Sequence, residues 1–357
     1  MACNGETWLP FVRYAEKRFL TGSVMNPQLL DILADPRDGS ALFLENAILD
    51  AEGRISEGFL VAHDGRRYPI TGGIPRFVEQ HERAEVASFG DEWNHFNYDA
   101  FRVNWVDFVV KNTFGSTGIF RNRCVVDAGA GSGMQTRWIA EAGASWVIAL
   151  ELSPSVDDVM ARNLSGLANV DVIQCSIDAP PLRSNIADIV YCHNVIQHTP
   201  SVETTARALW QVVAEGGEFV FNCYQRNDEG ALRGMRFRFN AWLRGMLSNR
   251  SFRTRLAYAK TMGMLRLIPG LGRLLELSTM MYRGHVPSGP DYLRRSYRQG
   301  VLNTFDWFGA HAHQHYKADS EILALVAELQ PDNSRVANLD RYFQRPPLPG
   351  CALRLRK

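Results

Sequence analysis

The densest chemical signal lies between Cys124 and Gly133. An apolar run ends on the acid Asp127, and Ala128-Gly129-Ala130-Gly131-Ser132-Gly133 follows at once. Glycines at alternate positions let the backbone turn tightly and approach a ligand where a Cβ would collide, and a helix beginning beyond them directs N–H groups at it. The spacing is Gly-x-Gly-x-Gly, not the Gly-x-Gly-x-x-Gly that cradles a pyrophosphate in dinucleotide loops. An acid just before the loop would repel a diphosphate and suits a cationic or amine-bearing ligand. A second apolar run, Trp146 to Leu150, ends on Glu151, where a carboxylate can accept both hydroxyls of a ribose.

Histidine supplies the other chemistry. His198 follows the apolar run Ala187 to His193, while His311, His313 and His315 alternate in an aromatic-rich word that begins at Asp306. A histidine of near-neutral pKa is the natural proton acceptor for a hydroxyl. Alternating histidines also invite a metal reading. No Cys or acid stands in a convincing ligand pattern around them, so no metal is expected and the word reads as a substrate-facing loop.

The elements that must position these groups follow from period and punctuation. Strands are expected at Cys124–Asp127, Trp146–Glu151, Val170–Gln174, Ala187–His193 and Gly217–Cys223, with helices at Gln135–Ala142 and Val202–Ala214 between them. This alternation predicts an α/β fold with a doubly wound, mostly parallel sheet. A helix from Ser320, then runs at Val336–Leu339 and Cys351–Leu355, would complete it at seven strands. Before the sheet, Trp8–Leu20 has a helical period, and short β-like runs at Ala41–Leu44, Phe59–Ala62 and Tyr68–Ile70 are separated by turn signals. The stretch Ser88–Phe96 is aromatic-rich at helical spacing and reads equally as a helix closing over a ligand or as a packing helix.

In order and spacing, Val125-Val126-Asp127-Ala128-Gly129-Ala130-Gly131-Ser132-Gly133, Glu151, the word Ala187 to Thr199 and Glu215-Gly216-Gly217 resemble the successive motifs of class I S-adenosyl-L-methionine-dependent methyltransferases over roughly a hundred residues. The resemblance implies a Rossmann-like methyltransferase fold with S-adenosyl-L-methionine as cofactor. It places Gly129, Ala130, Gly131 and Gly133 along the cofactor, Asp127 at its amino-acid end and Glu151 with Leu152 at the ribose. Ser176 and Ile177 fall at the adenine, where the family usually has an acid; Asp178 is the acid available two places later. His193 and Asn194 complete the cofactor-binding set. His198, His313 and His315 are the catalytic candidates on the acceptor side, because Thr304–Phe308 through His315 is similar to the acceptor-side insertion of small-molecule and sugar methyltransferases.

Leu29–Ala34 and Arg67–Pro75 resemble the small β-rich domain of methyltransferase activators. Zinc-bearing members have Cys-Pro-x-Cys where this chain reads Asp35-Pro36-Arg37-Asp38, and two carboxylates cannot replace two thiolates at a structural zinc site. The resulting division is an activator-like unit at 1–82, a cofactor core at 83–229, a basic helical insertion with substrate loop at 230–320, and the end of the core at 321–357. The insertion holds fourteen Arg or Lys against two acids between Gly230 and Val301. It reads as a solvated helical lid, a peripheral membrane contact or an RNA face.

Composition bounds the alternatives. Charged residues nearly cancel, with a formal net charge of +1, so no global field favours nucleic acid. The expected acceptor is a small-molecule, sugar or lipid-linked substrate; an RNA methyltransferase and a non-catalytic cofactor binder are the alternatives. The six scattered cysteines read as free thiols, and the lack of a leader or of a roughly twenty-residue apolar span predicts a cytoplasmic location. Nothing in the sequence specifies the oligomeric state.

Overall fold

The computed structural model describes residues 13–14, 24–78, 90, 92–96, 98–224, 231–279, 289–309, 311–338 and 350–357, and its strands fall in two sheets. The first contains β1 (Arg13–Tyr14), β2 (Phe43–Leu49), β3 (Ile55–Val61), β4 (Arg67–Thr71) and β5 (Ile74–Pro75), in that order. All its pairings are antiparallel except β1 with β2. The expected helix over Trp8–Leu20 lies outside the described residues save for Arg13 and Tyr14. Those two are extended and pair with Ile48 and Leu49, which corrects the helical reading there.

The word Asp35 to Asp38 folds onto His63-Asp64-Gly65-Arg66. Arg66 bridges Asp35 at 3.1 Å and Asp64 at 2.6 Å, with Asp38 at 3.9 Å, and Tyr68 Oη donates to Asp35 Oδ1 at 3.2 Å. A guanidinium supplies the positive charge among these carboxylates.

The second sheet has the order β11-β12-β10-β9-β6-β7-β8. Its strands are β6 (Cys124–Ala128), β7 (Trp146–Glu151), β8 (Val170–Gln174), β9 (Ala187–Cys192), β10 (Val213–Tyr224), β11 (Asn333–Asn338) and β12 (Gly350–Arg356). β6 to β10 are parallel, and β12 runs antiparallel to both β10 and β11. This is the expected seven-stranded, doubly wound sheet. Chain order reverses between β6 and β9, and in open sheets the cleft at the carboxyl ends beside such a reversal is the ligand site. The strands are near-continuous runs of Val, Ile, Leu and Ala because helices cover both faces.

The covering helices are α1 (Arg102–Asp107), α2 (Met134–Glu141), α3 (Val159–Leu164) and α4 (Val202–Val212). The insertion forms α5 (Ala231–Ser248), α6 (Phe252–Leu265), α7 (Leu271–Thr279) and α8 (Tyr292–Trp307), and α9 (Asp319–Leu329) returns the chain to β11. α6 crosses α8 closely at Gly263 and Gly300, and a Cβ on Gly263 would lie 2.7 Å from Val301 Cγ2.

The front sheet and the large sheet share one apolar core, in which Leu33, Leu60 and Phe77 join Ile148, Ile173 and Val190. Arg76 pairs in parallel with Gln174, Phe77 N–H donates to the Gln174 carbonyl at 2.8 Å, and Asn26 N–H donates to Asp171 Oδ1 at 2.8 Å. β8 would otherwise be a bare edge, and the chain following β5 covers it.

Candidate active site

The loop after β6 turns on three glycines with positive φ, Gly129 at 82°, Gly131 at 58° and Gly133 at 77°. Its N–H groups are spent inside the protein. Gly129 and Ala130 donate to the Leu150 carbonyl at 2.8 and 2.9 Å, Gly133 to the Ala130 carbonyl at 2.9 Å, and Gly131 to Glu151 Oε2 at 2.7 Å. The N–H groups expected to face a ligand are those at the start of the helix that follows, and these four loop groups are not among them. A loop so closed has little to offer a diphosphate, whose recognition needs those donors.

Each glycine also has a packing reason. A Cβ would meet Val195 at 2.3 Å on Gly129, the Trp93 ring at 3.0 Å on Gly131 and Met160 at 2.9 Å on Gly133. Gly133 precedes α2 and faces α3, so its absent side chain serves helix packing.

Asp127 is buried, and Thr136 Oγ1 donates to its Oδ2 at 2.6 Å. Burial pushes its carboxyl up to about 7; the Thr136 hydrogen bond opposes this and the nearby Glu151 charge adds to it. A cation brought beside Asp127 would relieve that cost. Glu151 is held by two backbone donors, Gly131 N–H and, at 2.8 Å on Oε1, Ser153 N–H. Each of its oxygens keeps a further lone pair for a diol. Leu152 is half-buried beside it. Beyond β8, Ser176 Oγ donates to Asp178, so these two polar groups act as a pair, whereas Ile177 belongs to the main core.

His193 is buried, stacks on Phe108 at 3.9 Å between centroids and lies 3.0 Å from Gln135 Oε1 through Nδ1. Burial drives it down to about 3, so the ring is neutral. Asn194 is exposed, has a φ of 61°, and is clamped reciprocally by Asn222, whose Oδ1 accepts from Asn194 N–H at 2.6 Å while its Nδ2 donates to Asn194 Oδ1 at 2.8 Å. Asn222 went unnoticed in the sequence; its signal was a lone amide inside the apolar run Phe219 to Cys223.

The described part of Ser88–Phe96 is helical over Glu92–His95 and packs on two sides. Trp93 leans on Gly131, and Asn94 Oδ1 accepts from Val159 N–H at 3.2 Å, so the segment lies over the loop. Its other side packs on the insertion, His95 on Phe252 at 5.4 Å and Phe96 on Phe305 at 5.4 Å. Between these contacts, Glu92 is buried and accepts from Tyr98 Oη at 3.0 Å.

Glu92 shares a cluster with Asp306 and His311, whose ligand atoms all lie within 4.8 Å of one another, a spacing that could hold a metal ion. Arg244 and Arg255 act on the same cluster electrostatically and already bring positive charge to it. The acids missing from the local pattern around the histidines are thus Asp306, at the end of α8, and Glu92, from far upstream. Burial raises Glu92 well above the usual carboxylate range and the Asp306 charge adds to this, while Asp306 itself is pushed up to about 6 by its enclosed position, with Arg244 opposing. The Asp306 side chain is nonetheless 43% exposed. Tyr224 and Tyr316, with rings 5.7 Å apart, stand within reach of the Asp306 charge, which adds to the burial that raises both phenols.

The histidines divide. His311 is buried and donates through Nε2 to the Asp306 carbonyl at 2.8 Å. His198, 4.7 Å from His311 between rings, donates through Nδ1 to the His313 carbonyl at 3.1 Å and is driven down to about 4 by burial. His315 donates through Nε2 to the Thr199 carbonyl at 3.0 Å, and the His313 ring lies parallel to it at 5.9 Å.

With this geometry described, residues 126–221 match the family model of a methyltransferase domain. Ubiquinone biosynthesis O-methyltransferase of Pseudomonas entomophila is 27% identical over 135 residues, 37% of this chain and 53% of that protein. Sarcosine/dimethylglycine N-methyltransferase of Halorhodospira halochloris is 28% identical over 108 residues, 29% and 39% of the two chains. The chain spans about half the length, or less, of these curated relatives. Magnesium protoporphyrin IX methyltransferase from Synechocystis PCC 6803, solved with bound SAH, superposes with a TM-score of 0.42 at 14% identity, covering 77% of this chain and 97% of that one.

Proposed function

We propose that this protein is an S-adenosyl-L-methionine-dependent methyltransferase acting on a hydroxyl of a small-molecule or lipid-linked acceptor. The observation that carries the reading is the Glu151 carboxylate, fixed by two backbone N–H groups at the carboxyl end of β7, beside a glycine loop in which the N–H groups of Gly129, Ala130, Gly131 and Gly133 are engaged within the protein. This donor set fits a nucleoside without phosphates: a carboxylate for the ribose diol, and buried Asp127 for a positively charged amino group. Ser176 and Asp178 stand at the third position, toward the base. When bound, the cofactor supplies an electrophilic methyl group on a sulfonium.

What the chain contributes is alignment, exclusion of water and a place for the proton. Trp93 over Gly131 and Glu92 at the neighbouring cluster put the loop and the Glu92-Asp306-His311 cluster on two sides of one short helix. Within the cluster, burial and the Asp306 charge push Glu92 well above the usual carboxylate range, whereas Asp306, at about 6, is ionised near neutral pH; divergent environments assign acid and base in this way. Asp306 is therefore the proton acceptor for the hydroxyl. His198 is too weak a base at about 4 and shapes the wall with His311 and His315.

The test is calorimetric titration with S-adenosylhomocysteine. Glu151→Ala and the isosteric Glu151→Gln should each weaken binding by about tenfold or more, the scale expected when a buried charged acceptor is lost. Unchanged affinity in both variants would remove the ribose assignment.

A further inference from the structure

The outward face of α5 carries large apolar side chains in the open. Met235, Phe239, Trp242 and Met246 are 56%, 44%, 58% and 45% exposed. Their spacing of four, three and four residues sets them in one stripe over about three turns of an 18-residue helix. Arg238, exposed, flanks that stripe. The opposite face is used inside the protein. Asn240 Oδ1 accepts from Trp307 Nε1 at 2.9 Å, Leu243 and Leu247 pack on Trp307 and Phe308, and Phe237 meets Tyr316 edge-on at 5.2 Å. The outward stripe is therefore not surplus core, because the helix already has a buried side.

Charge selects the occupant. Fourteen Arg or Lys stand against two acids between Gly230 and Val301, while the whole chain carries only +1, so the insertion holds the excess positive charge and the remainder is net acidic. Arg255 and Arg266 are buried, whereas Arg238, Arg250 just beyond the end of α5, Arg253 and Lys260 are exposed. A second copy meeting the stripe through a two-fold axis would bring the same basic surface against itself. A polyanion such as RNA would engage the arginines and leave Met235 and Met246 in water. An anionic bilayer satisfies both features, because its interface takes the apolar stripe and its headgroups take the flanking cations. Among the described residues no helix is long and apolar enough to cross a membrane, so α5 lies on the surface.

We propose that α5 is a docking surface for an anionic lipid bilayer, with the Met235-Phe239-Trp242-Met246 stripe seated in the interface. The same helix packs on Tyr316 through Phe237 and on Trp307 through Leu243, next to Asp306, so docking sets the Glu92-Asp306-His311 cluster near the membrane. This inference goes beyond the catalytic reading and is tested without turnover.

The full chain is floated with vesicles of phosphatidylcholine, with and without phosphatidylglycerol. The expected result is binding to the phosphatidylglycerol vesicles about tenfold stronger than to the neutral ones, weakening with salt. The double variant Phe239→Ser/Trp242→Ser, with circular dichroism and thermal midpoint as fold controls, should lose about tenfold or more. Arg238→Glu/Arg250→Glu, which leaves the stripe intact, should lose the preference for phosphatidylglycerol. Failure of the unaltered protein to float with either vesicle overturns the proposal, as does equal flotation of the Phe239→Ser/Trp242→Ser chain. A dimer that this variant breaks, seen by sedimentation with no lipid binding, assigns the stripe to self-association and overturns it as well.

Discussion

Replacing Asp127 by Asn removes a charge from the deepest part of the site while keeping the shape and the hydrogen bond, because the amide oxygen can still accept from Thr136 Oγ1. Burial takes this carboxyl from 3.8 up to about 7, with Glu151 adding to the shift. The folded chain therefore holds a proton that the unfolded chain releases. Stability falls as pH rises from about 4 to about 7 and levels off above, at about 1.4 kcal/mol per pH unit. Between about pH 5.5 and about pH 8 the unaltered protein should lose about 2 kcal/mol relative to Asp127→Asn, the remaining titrations cancelling in the difference. Urea unfolding of both chains at the two pH values measures it. A gap between the two proteins that is the same at both pH values refutes the reasoning, since Asp127 would then titrate as an ordinary exposed carboxylate. With S-adenosylhomocysteine present the order should invert, the variant gaining less stabilisation because it has no charge for the amino group.

Arg66→Ala should lower the urea midpoint, because the buried Asp35 side chain loses its guanidinium partner; an unchanged midpoint contradicts the ion-pair account. Gly263→Ala should lose about 1–3 kcal/mol by overpacking against Val301. Gly245→Ala, where a Cβ meets nothing within 4 Å, should be neutral or gain up to about 1 kcal/mol of helix propensity, and equal effects at the two glycines would sink the packing argument. In a methyl-transfer assay kcat/KM should rise with pH through about 6 as Asp306 ionises, and Asp306→Asn should abolish that limb while His198→Gln keeps it; the opposite pattern returns the base role to His198.

Much of the large sheet was legible because β6 and β7 are short apolar runs that end on an acid or run into Gly, a pattern that buried parallel strands produce without help from the rest of the chain. Glu151 was legible for the same reason, since a carboxylate ending such a run stands at the carboxyl edge. The Glu92-Asp306-His311 cluster was not. Glu92 and Asp306 are more than two hundred residues apart, and their meeting depends on α8 packing against the helix that carries Trp93. The alternation of the histidines did not show which of them would join it: the described residues between Trp307 and Asp319 form neither helix nor strand, and His311 turns inward to the Asp306 carbonyl while His313 and His315 stack elsewhere. The front unit showed its turns but not its attachment, because pairing of Arg76 with Gln174 is a backbone contact that side-chain pattern does not encode.

The central proposal is that the loop after β6 and Glu151 hold a phosphate-free nucleoside, and parallel calorimetric titrations of the purified chain with S-adenosylhomocysteine and with NAD test it most directly. Saturable binding of S-adenosylhomocysteine, with no heat from NAD, is the predicted result. Binding of NAD, or no uptake of S-adenosylhomocysteine, would contradict it.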